Sequence, residues 1–273
     1  CLMIYVSSTN RKLTEKYIDW AVAGLPNCKK ISPLEIITKK DCTKAVFLGL
    51  LRGTHLVYRW AEKNNIDFNY IDRPYWGETR NHPYYMKIVK NNFLKNWQED
   101  RPDDRFKKSF PWPIKPWKKD GKNIIVCPPS NAIKEFRGVH NWLDTTIKTL
   151  KENTDRPIIV KTKGYNPLIG VDKNGGYFVA GKDKQTPSGP INWDDAYAIV
   201  TYNSNITLEA TTRGIPCYTD QHNACAPISE TDFTKIETPK YAEREPLYHS
   251  MAYGQFTAEE MRNGYAWRIL DES

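Results

Sequence analysis

The sequence predicts an α/β protein of two lobes, and three features of the 273-residue chain agree on this. Short apolar runs alternate with amphipathic stretches of helical period, which is typical of strands and helices in α/β folds. The alternation occurs twice, and an extended, proline-rich segment between Arg105 and Lys122 separates the two series. We therefore expect one lobe over residues 1–117 and a second over residues 118–245.

The first lobe contains three predicted strands joined by two predicted helices. In chain order these are a strand at Ile4–Val6, a helix at Leu13–Ala23, a strand at Ala45–Gly49, a helix at Thr54–Asn64 and a strand at Phe68–Asp72. Functional side chains of such sheets gather where the strands end. Arg52 and Asp72 stand at such strand ends, so both are candidates for a site.

The second lobe repeats this order, and a C-terminal helix follows it in residues 246–273. Its predicted elements are a strand at Asn123–Cys127, a helix at Val139–Leu150, and strands at Pro157–Lys161, Tyr177–Ala180 and Ala196–Val200. Thr257 and Glu260 have the spacing of a capping box, which predicts a helix that begins there and runs toward Leu270.

A polar turn after the Ala196–Val200 strand is the most informative segment of the chain. Asn203, Ser204 and Asn205 can cap the helix that begins there, and the amide groups of its first turn can bind an anion. Glu209 lies one helical turn further along, where a carboxylate can accept hydrogen bonds from ribose hydroxyls. Gly214 then ends the helix. The alternative is that these residues are ordinary caps and a solvated carboxylate.

This segment resembles the nucleotide-sugar-binding segment of GT-B glycosyltransferases, particularly capsule-polysaccharide enzymes and related phage proteins. The matching residues are Asn203, Ser204, Glu209, Gly214 and Pro216. The resemblance covers the second lobe best, roughly half of the chain. It implies two Rossmann-like lobes with a cleft between them, the nucleotide sugar on the second lobe and the acceptor on the first. It also implies that the C-terminal helix packs back on the first lobe.

Two cations of the second lobe fit the donor chemistry that the resemblance implies. Lys161 follows an apolar strand, and Arg137 is predicted in the loop between Pro129 and the next helix. Fixed cations stabilise the charge on a departing nucleoside diphosphate. The sequence has no Asp-x-Asp triplet, so we expect metal-independent transfer from a UDP-sugar donor substrate, with no cofactor. Two exposed basic side chains without a ligand remain the alternative.

The net positive charge of the chain lies in its first part. Residues 1–117 hold 21 Lys and Arg against 12 Asp and Glu, whereas residues 118–273 hold 19 against 20. A polyanionic acceptor such as double-stranded DNA would explain the excess, as would a solvated basic surface. We expect Arg52 and Arg73 to contact the acceptor, and Tyr75 and Trp76 to stack on it. Core packing is the alternative for each aromatic ring.

Transfer to a hydroxyl group also needs a carboxylate that accepts its proton. Asp72 is the predicted base, and phage DNA glucosyltransferases use a first-lobe aspartate in this way. A structural ion pair of Asp72 with Arg73 or Arg52 is the alternative. Glu78 and His82 are weaker candidates for the base.

Together these observations predict transfer of a sugar to the hydroxymethyl group of a modified pyrimidine in DNA, such as hydroxymethylcytosine, as in bacteriophage DNA modification. Synthesis of capsule or another surface polysaccharide is the alternative. A non-catalytic module that binds nucleotide and DNA is an alternative of another class. No apolar run approaches the roughly 20 residues that span a bilayer, so we expect a cytoplasmic protein, in the host cytoplasm if a phage encodes it.

Overall fold

The structure is a computed structural model that describes residues 3–9, 11–77, 85–93, 100–162, 167–182 and 189–272. It is a mixed α/β structure with parallel sheets, which confirms the predicted class. The chain divides into two compact units. The first unit comprises Cys1–Phe110, Gly170–Phe178 and His249–Ser273, and the second comprises Pro111–Ile169 and Val179–Tyr248.

The elements follow in chain order. The strands are β1 (Met3–Ser7), β2 (Cys28–Ile31), β3 (Cys42–Leu48), β4 (Asp67–Asp72), β5 (Met86–Lys90), β6 (Asn123–Cys127), β7 (Ile158–Val160), β8 (Pro167–Val171), β9 (Tyr177–Lys182), β10 (Ala196–Thr201), β11 (Cys217–Thr219) and β12 (Gln255–Phe256). The helices are α1 (Lys12–Gly24), α2 (Pro33–Ile36), α3 (Thr54–Asn64), α4 (Asp104–Ser109), α5 (Asn131–Arg137), α6 (Trp142–Asn153), α7 (Ile206–Thr212), α8 (Glu245–Ala252), α9 (Ala258–Arg262) and α10 (Tyr265–Asp271).

The first unit is built on a six-stranded sheet of order β12-β5-β4-β3-β1-β2. Strands β1 to β4 are parallel, and β5 runs antiparallel to both β4 and β12. One face is covered by α1, α9 and α10, whose Ile18, Met261 and Trp267 pack in a common core with strand residues. An aromatic cluster joins strand residues Phe47, Phe68 and Tyr70 to Tyr58 of α3 and to Phe93, which follows β5.

The predicted capping box at the C-terminal region is present. Thr257 Oγ1 accepts a hydrogen bond from the Glu260 amide at 3.2 Å, and Glu260 Oε2 accepts one from the Thr257 amide at 2.8 Å. The single helix predicted toward Leu270 is two helices instead. Gly264 has φ +85° and lies between α9 and α10, so the chain turns there.

The second unit has a four-stranded parallel sheet of order β11-β10-β6-β7. Alternate residues of its strands pack into two cores, one that includes residues of α6 and one that includes Ala210 of α7. A separate two-stranded sheet pairs β8 with β9. Within each of the two larger sheets, the carboxyl ends of the parallel strands therefore lie along one edge.

This part of the chain differs from the prediction in one boundary and in one helix. The segment predicted as extended from Arg105 onward begins inside helix α4, and it is irregular only from Phe110 to Lys122. Helix α5 was not predicted, although Ser130 caps it by accepting a hydrogen bond from the Ile133 amide at 3.4 Å. Only two of its residues, Ile133 and Phe136, are buried, so its apolar pattern is too short to detect.

Candidate functional site

The carboxyl edge of the second sheet contains a topological switch point. Strand β7, which follows β6 in the chain, pairs with one side of β6, whereas β10 pairs with the other side and continues to β11. The connections after β6 and β10 therefore leave toward opposite sides. In open α/β sheets the crevice at such a point is where ligands bind. Asn203, Ser204 and Asn205 directly follow β10, so they lie at this edge, as the sequence predicts.

Ser204 fixes the polar turn after β10. Its Oγ accepts a hydrogen bond from the Ile206 amide at 3.3 Å, and its carbonyl oxygen accepts one from Thr207 Oγ1 at 3.0 Å. Asn223 is 1% exposed, and its Oδ1 accepts from Thr207 Oγ1 at 3.1 Å. Asn205 is the exposed N-cap residue but forms no side-chain cap, so Ser204 alone provides the predicted capping. The start of α7 is thus held against the Asp220–Asn223 turn.

Arg137 lies in the last turn of α5, not in a loop as predicted. Its guanidinium carbon is 4.9 Å from the centroid of the Phe136 ring. Burial raises the pKa of the Tyr202 phenol, the Asp220 carboxylate raises it further, and the charge of Arg137 lowers it. Both charged groups therefore lie close to Tyr202, the residue after β10. The fold therefore brings Arg137 near the residue that precedes the polar turn.

An Asp-His pair follows β11 at the same edge, and sequence reasoning missed it. His222 Nδ1 is 2.6 Å from Asp220 Oδ1, which also accepts a hydrogen bond from the His222 amide at 2.9 Å. A carboxylate on Nδ1 favours the tautomer that carries its proton there, and Nε2 is then the nitrogen that can accept a proton or contact a ligand. The available signal was the Asp-x-His spacing directly after the residues that form β11.

Lys161 and Glu209 are engaged with protein groups. Lys161 Nζ donates a hydrogen bond to the Pro190 carbonyl at 3.0 Å. Glu209 Oε1 is 3.0 Å from Arg213 Nη2, and the Arg213 guanidinium carbon is 4.9 Å from the centroid of the Trp193 ring. Both side chains of this ion pair are about 40% exposed, so Glu209 can exchange Arg213 for another partner at low cost. The ribose contact predicted for Glu209 stays a prediction.

In the first unit, Asp72 is the counter-ion of a buried lysine. Asp72 and Lys87 lie opposite each other in the antiparallel pairing of β4 with β5, and Asp72 Oδ2 is 3.9 Å from Lys87 Nζ. Lys87 is only 2% exposed. The Asp72 carboxylate also accepts hydrogen bonds from the Tyr70 hydroxyl at 3.1 Å and the Arg73 amide at 2.8 Å. Asp72 therefore does form a structural ion pair, but its partner is Lys87 and not Arg73 or Arg52.

Tyr75 and Trp76 belong to the core of the first unit, with exposures of 6% and 2%. Gln255 Oε1 accepts hydrogen bonds from both of their amides, at 2.9 and 3.3 Å. The Trp76 indole donates to Ser109 Oγ at 3.2 Å, and Lys87 Nζ is 5.4 Å from the Tyr75 ring centroid. This corrects the predicted stacking role, because neither ring offers a face to an acceptor unless it leaves this core.

Arg52 and Arg73 are exposed at the carboxyl edge of the first sheet, as the sequence predicts. This sheet has its own switch point between β1 and β3, because β1 leads to β2 on one side and β3 pairs with the other. Arg52 has φ +62°, and its amide donates to the Tyr177 carbonyl at 2.7 Å. Desolvation and the charge of Arg11, which follows β1, lower the pKa of Arg52. Arg11 and Arg52 therefore both lie near the switch point of the first sheet.

The two weaker candidates for the base, Glu78 and His82, lie outside the described residues. Within the described ranges, no group of three or more His, Cys, Asp or Glu side chains is placed to hold a metal ion. No helix in this part of the chain is both long and apolar enough to cross a membrane.

Known proteins resemble the chain in structure but not in sequence. No protein-family model matches it, and no curated protein matches it. Among solved structures it is similar to KpsC of Thermosulfurimonas dismutans, a beta Kdo 2,7 transferase, with 13% identity, a TM-score of 0.49, and coverage of 98% of this chain and 99% of that one. A second KpsC structure from the same organism, a beta Kdo 2,4 transferase, has 9% identity, a TM-score of 0.49, and coverage of 94% and 92%.

Proposed function

We propose that this chain is a glycosyltransferase that binds a nucleotide sugar, UDP-linked in the first instance, at the carboxyl edge of the second unit. The observation that carries the proposal is the set of groups at that switch point: the Ser204 turn, the Arg137 guanidinium and the Asp220–His222 pair. A cation, a carboxylate-oriented imidazole and a fixed polar turn suit a phosphorylated ligand. The resemblance of the Asn203–Pro216 segment to GT-B enzymes supports the same ligand.

These groups fit the leaving-group side of the reaction. The acceptor oxygen attacks the anomeric carbon, the bond from that carbon to the phosphate oxygen breaks, and the acceptor hydroxyl gives up its proton. Arg137 would stabilise the charge that develops on the departing diphosphate. Protonated His222, held by Asp220, would donate a hydrogen bond to the same phosphate. Asp72 stays the proposed proton acceptor, since its side chain is 33% exposed.

For the acceptor we propose an acidic polysaccharide of the capsule or surface type. Arg11 and Arg52 lie near the switch point of the first sheet, and neither forms an ion pair with a described carboxylate. Paired arginines suit carboxylate or phosphate groups. Tyr75 and Trp76 are core residues, which disfavours their stacking on an extruded DNA base. Hydroxymethylated DNA is therefore the competing acceptor in the experiments that follow.

The first test measures sugar transfer directly. Purified protein is incubated with UDP-linked and other nucleotide sugars, together with acidic oligosaccharides or DNA that contains hydroxymethylcytosine, and the products are weighed by mass spectrometry. We expect a sugar increment on an oligosaccharide. In His222→Asn we expect kcat to fall about 10²–10³-fold, as for loss of one charge-stabilising donor, with unchanged thermal stability. A sugar increment on DNA alone would show that DNA, not an acidic polysaccharide, is the acceptor. Nucleotide binding without any product would favour the non-catalytic alternative.

The arginine pair gives a separate prediction. Replacing both Arg11 and Arg52 with Ala should raise KM for an acidic acceptor about 10²–10⁴-fold, because two charge-assisted hydrogen bonds of about 1.5–3 kcal/mol each are lost and every 1.4 kcal/mol is about tenfold. The double replacement of Lys40 and Lys63, which are also exposed, removes the same charge elsewhere on this unit. Steady-state kinetics with charged and neutral acceptors compare the two variants. Equal losses in both would mean that only the overall charge matters.

A further inference from the structure

A groove on the second unit lies beside the polar edge and is not used by the groups described so far. It has a volume of about 410 Å³, within the range of small-molecule pockets, which is about 300–1,000 Å³. It lies between α6 and the short 3-10 helix Phe233–Lys235. We call it the Trp142 groove. Its lining consists of the Gly138–Trp142 segment, three threonines of α6 and Phe233.

Trp142 connects this groove to the candidate site. Its ring is edge-on to the Phe233 ring, with centroids 6.2 Å apart and an interplanar angle of 90°. It is also edge-on to Tyr202, with centroids 6.3 Å apart and an angle of 81°. The charges of Asp220 and Arg137 shift the pKa of the Tyr202 phenol in opposite directions, so both groups lie near Tyr202. Trp142, which lines the groove, therefore contacts Tyr202, and Tyr202 lies next to Arg137 and Asp220 at the strand ends.

The lining combines aromatic surface with hydrogen-bonding groups. Trp142 and Phe233 provide the rings, His140 and Asn141 are polar and exposed, and Thr145 and Thr149 lie along α6. A planar heteroaromatic ring matches this combination, because its faces and edges pack on aromatic side chains while its ring nitrogens and carbonyl groups accept or donate hydrogen bonds. The neighbouring Arg137 would meet the phosphate of the same molecule.

We propose that the Trp142 groove binds the nucleobase of the nucleotide-sugar donor, so that the phosphates reach Arg137 and His222 at the strand ends. This proposal rests on the proposed function, since it assigns one part of the donor to a place on the second unit. It names Trp142 and Phe233 as the surfaces that hold the base. It also makes the α6 threonines the residues that decide how much room the base has.

The test measures nucleotide binding, which does not depend on turnover. Isothermal titration calorimetry gives the Kd of the wild-type chain for UDP, CDP, ADP and GDP, and for ribose 5-phosphate, which has no base. Thr149→Tyr fills the groove from α6, and Lys148→Tyr places the same side chain one residue away, where Lys148 is 78% exposed outside the lining. We expect Thr149→Tyr to weaken binding of the preferred nucleotide at least tenfold and Lys148→Tyr to leave it within twofold.

Tryptophan fluorescence tests the groove without relying on Thr149→Tyr. Nucleotide binding should change the tryptophan fluorescence, and Trp142→Phe should remove most of the change while the calorimetric Kd stays within about fivefold. Thr145→Tyr is the second filling variant if Thr149→Tyr does not fold. Tight nucleotide binding that neither filling variant weakens would overturn the groove assignment and leave the proposed function intact. If the wild-type chain binds none of the nucleotides, both proposals are wrong.

Discussion

Replacing Asp72 with Asn is expected to destabilise the first unit by about 3 kcal/mol, because it leaves the Lys87 ammonium buried without its counter-ion. Removing one partner of a buried ion pair costs about 3–5 kcal/mol, and the lower end applies since Asp72 is 33% exposed. Urea denaturation followed by circular dichroism measures the difference. Loss of activity in Asp72→Asn would therefore not identify the catalytic base by itself.

The double variant Asp72→Asn with Lys87→Met separates stability from catalysis. Met has a similar length without the charge, so we expect the double variant to regain most of the lost stability. If activity stays absent in the refolded double variant, Asp72 acts on the acceptor; if activity returns, Asp72 was only the counter-ion. Equal instability of the single and double variants would contradict the ion-pair explanation.

The same pair should make stability depend on pH. Burial lowers the pKa of Lys87, and Asp72 only partly raises it. Between this lowered pKa and the ordinary value for lysine, the unfolded chain binds more protons than the folded chain, so the unfolding free energy rises with pH. Asp72→Asn lacks the compensating carboxylate, and its stability should recover more steeply than that of the wild type as the pH increases through this range.

The second large effect is expected for Gly214→Ala in the second unit. A Cβ atom there would lie 1.9 Å from the Pro116 carbonyl oxygen, and Gly214 has φ +80°. The Pro116 backbone cannot move away easily, since the Lys115 amide donates to Thr212 at 2.9 Å and the Lys118 amide donates to Gly214 at 2.7 Å. We expect a loss of more than about 3 kcal/mol, the range of severe core changes, seen as a lowered thermal midpoint.

Gly138→Ala is the matched control. Gly138 has φ +69° in the same unit, but a Cβ atom there meets nothing within 4 Å. It should therefore cost only the conformational term, about 1–2 kcal/mol. Similar losses in the two variants would show that the close approach of Pro116 is unimportant. A larger loss at Gly214 would explain the glycine of the Gly-x-Pro motif by packing, without reference to a ligand.

The sequence alone predicted the parts of the fold that depend on local patterns. Strand β6 and helix α3 have the predicted bounds, because β6 is a short continuous apolar run and the apolar residues of α3 recur with the helical period. The capping box at Thr257 was predicted from the spacing of two residues. The Ser204 turn was predicted from the polar residues that directly follow the apolar Ala196–Val200 run. Helix α5 escaped because seven residues carry too little periodicity to detect.

Only the tertiary structure decided what the candidate residues contact. Asp72 and Lys87 are joined by the antiparallel β4–β5 pairing, and Arg11 and Arg52 by the parallel β1–β3 pairing. Sequence patterns report which residues are buried along one element, whereas strand order decides which elements are neighbours. The sequence therefore determined the α/β elements and the polar turn, and the tertiary structure determined the partners, because long-range strand pairing leaves no local periodic signal.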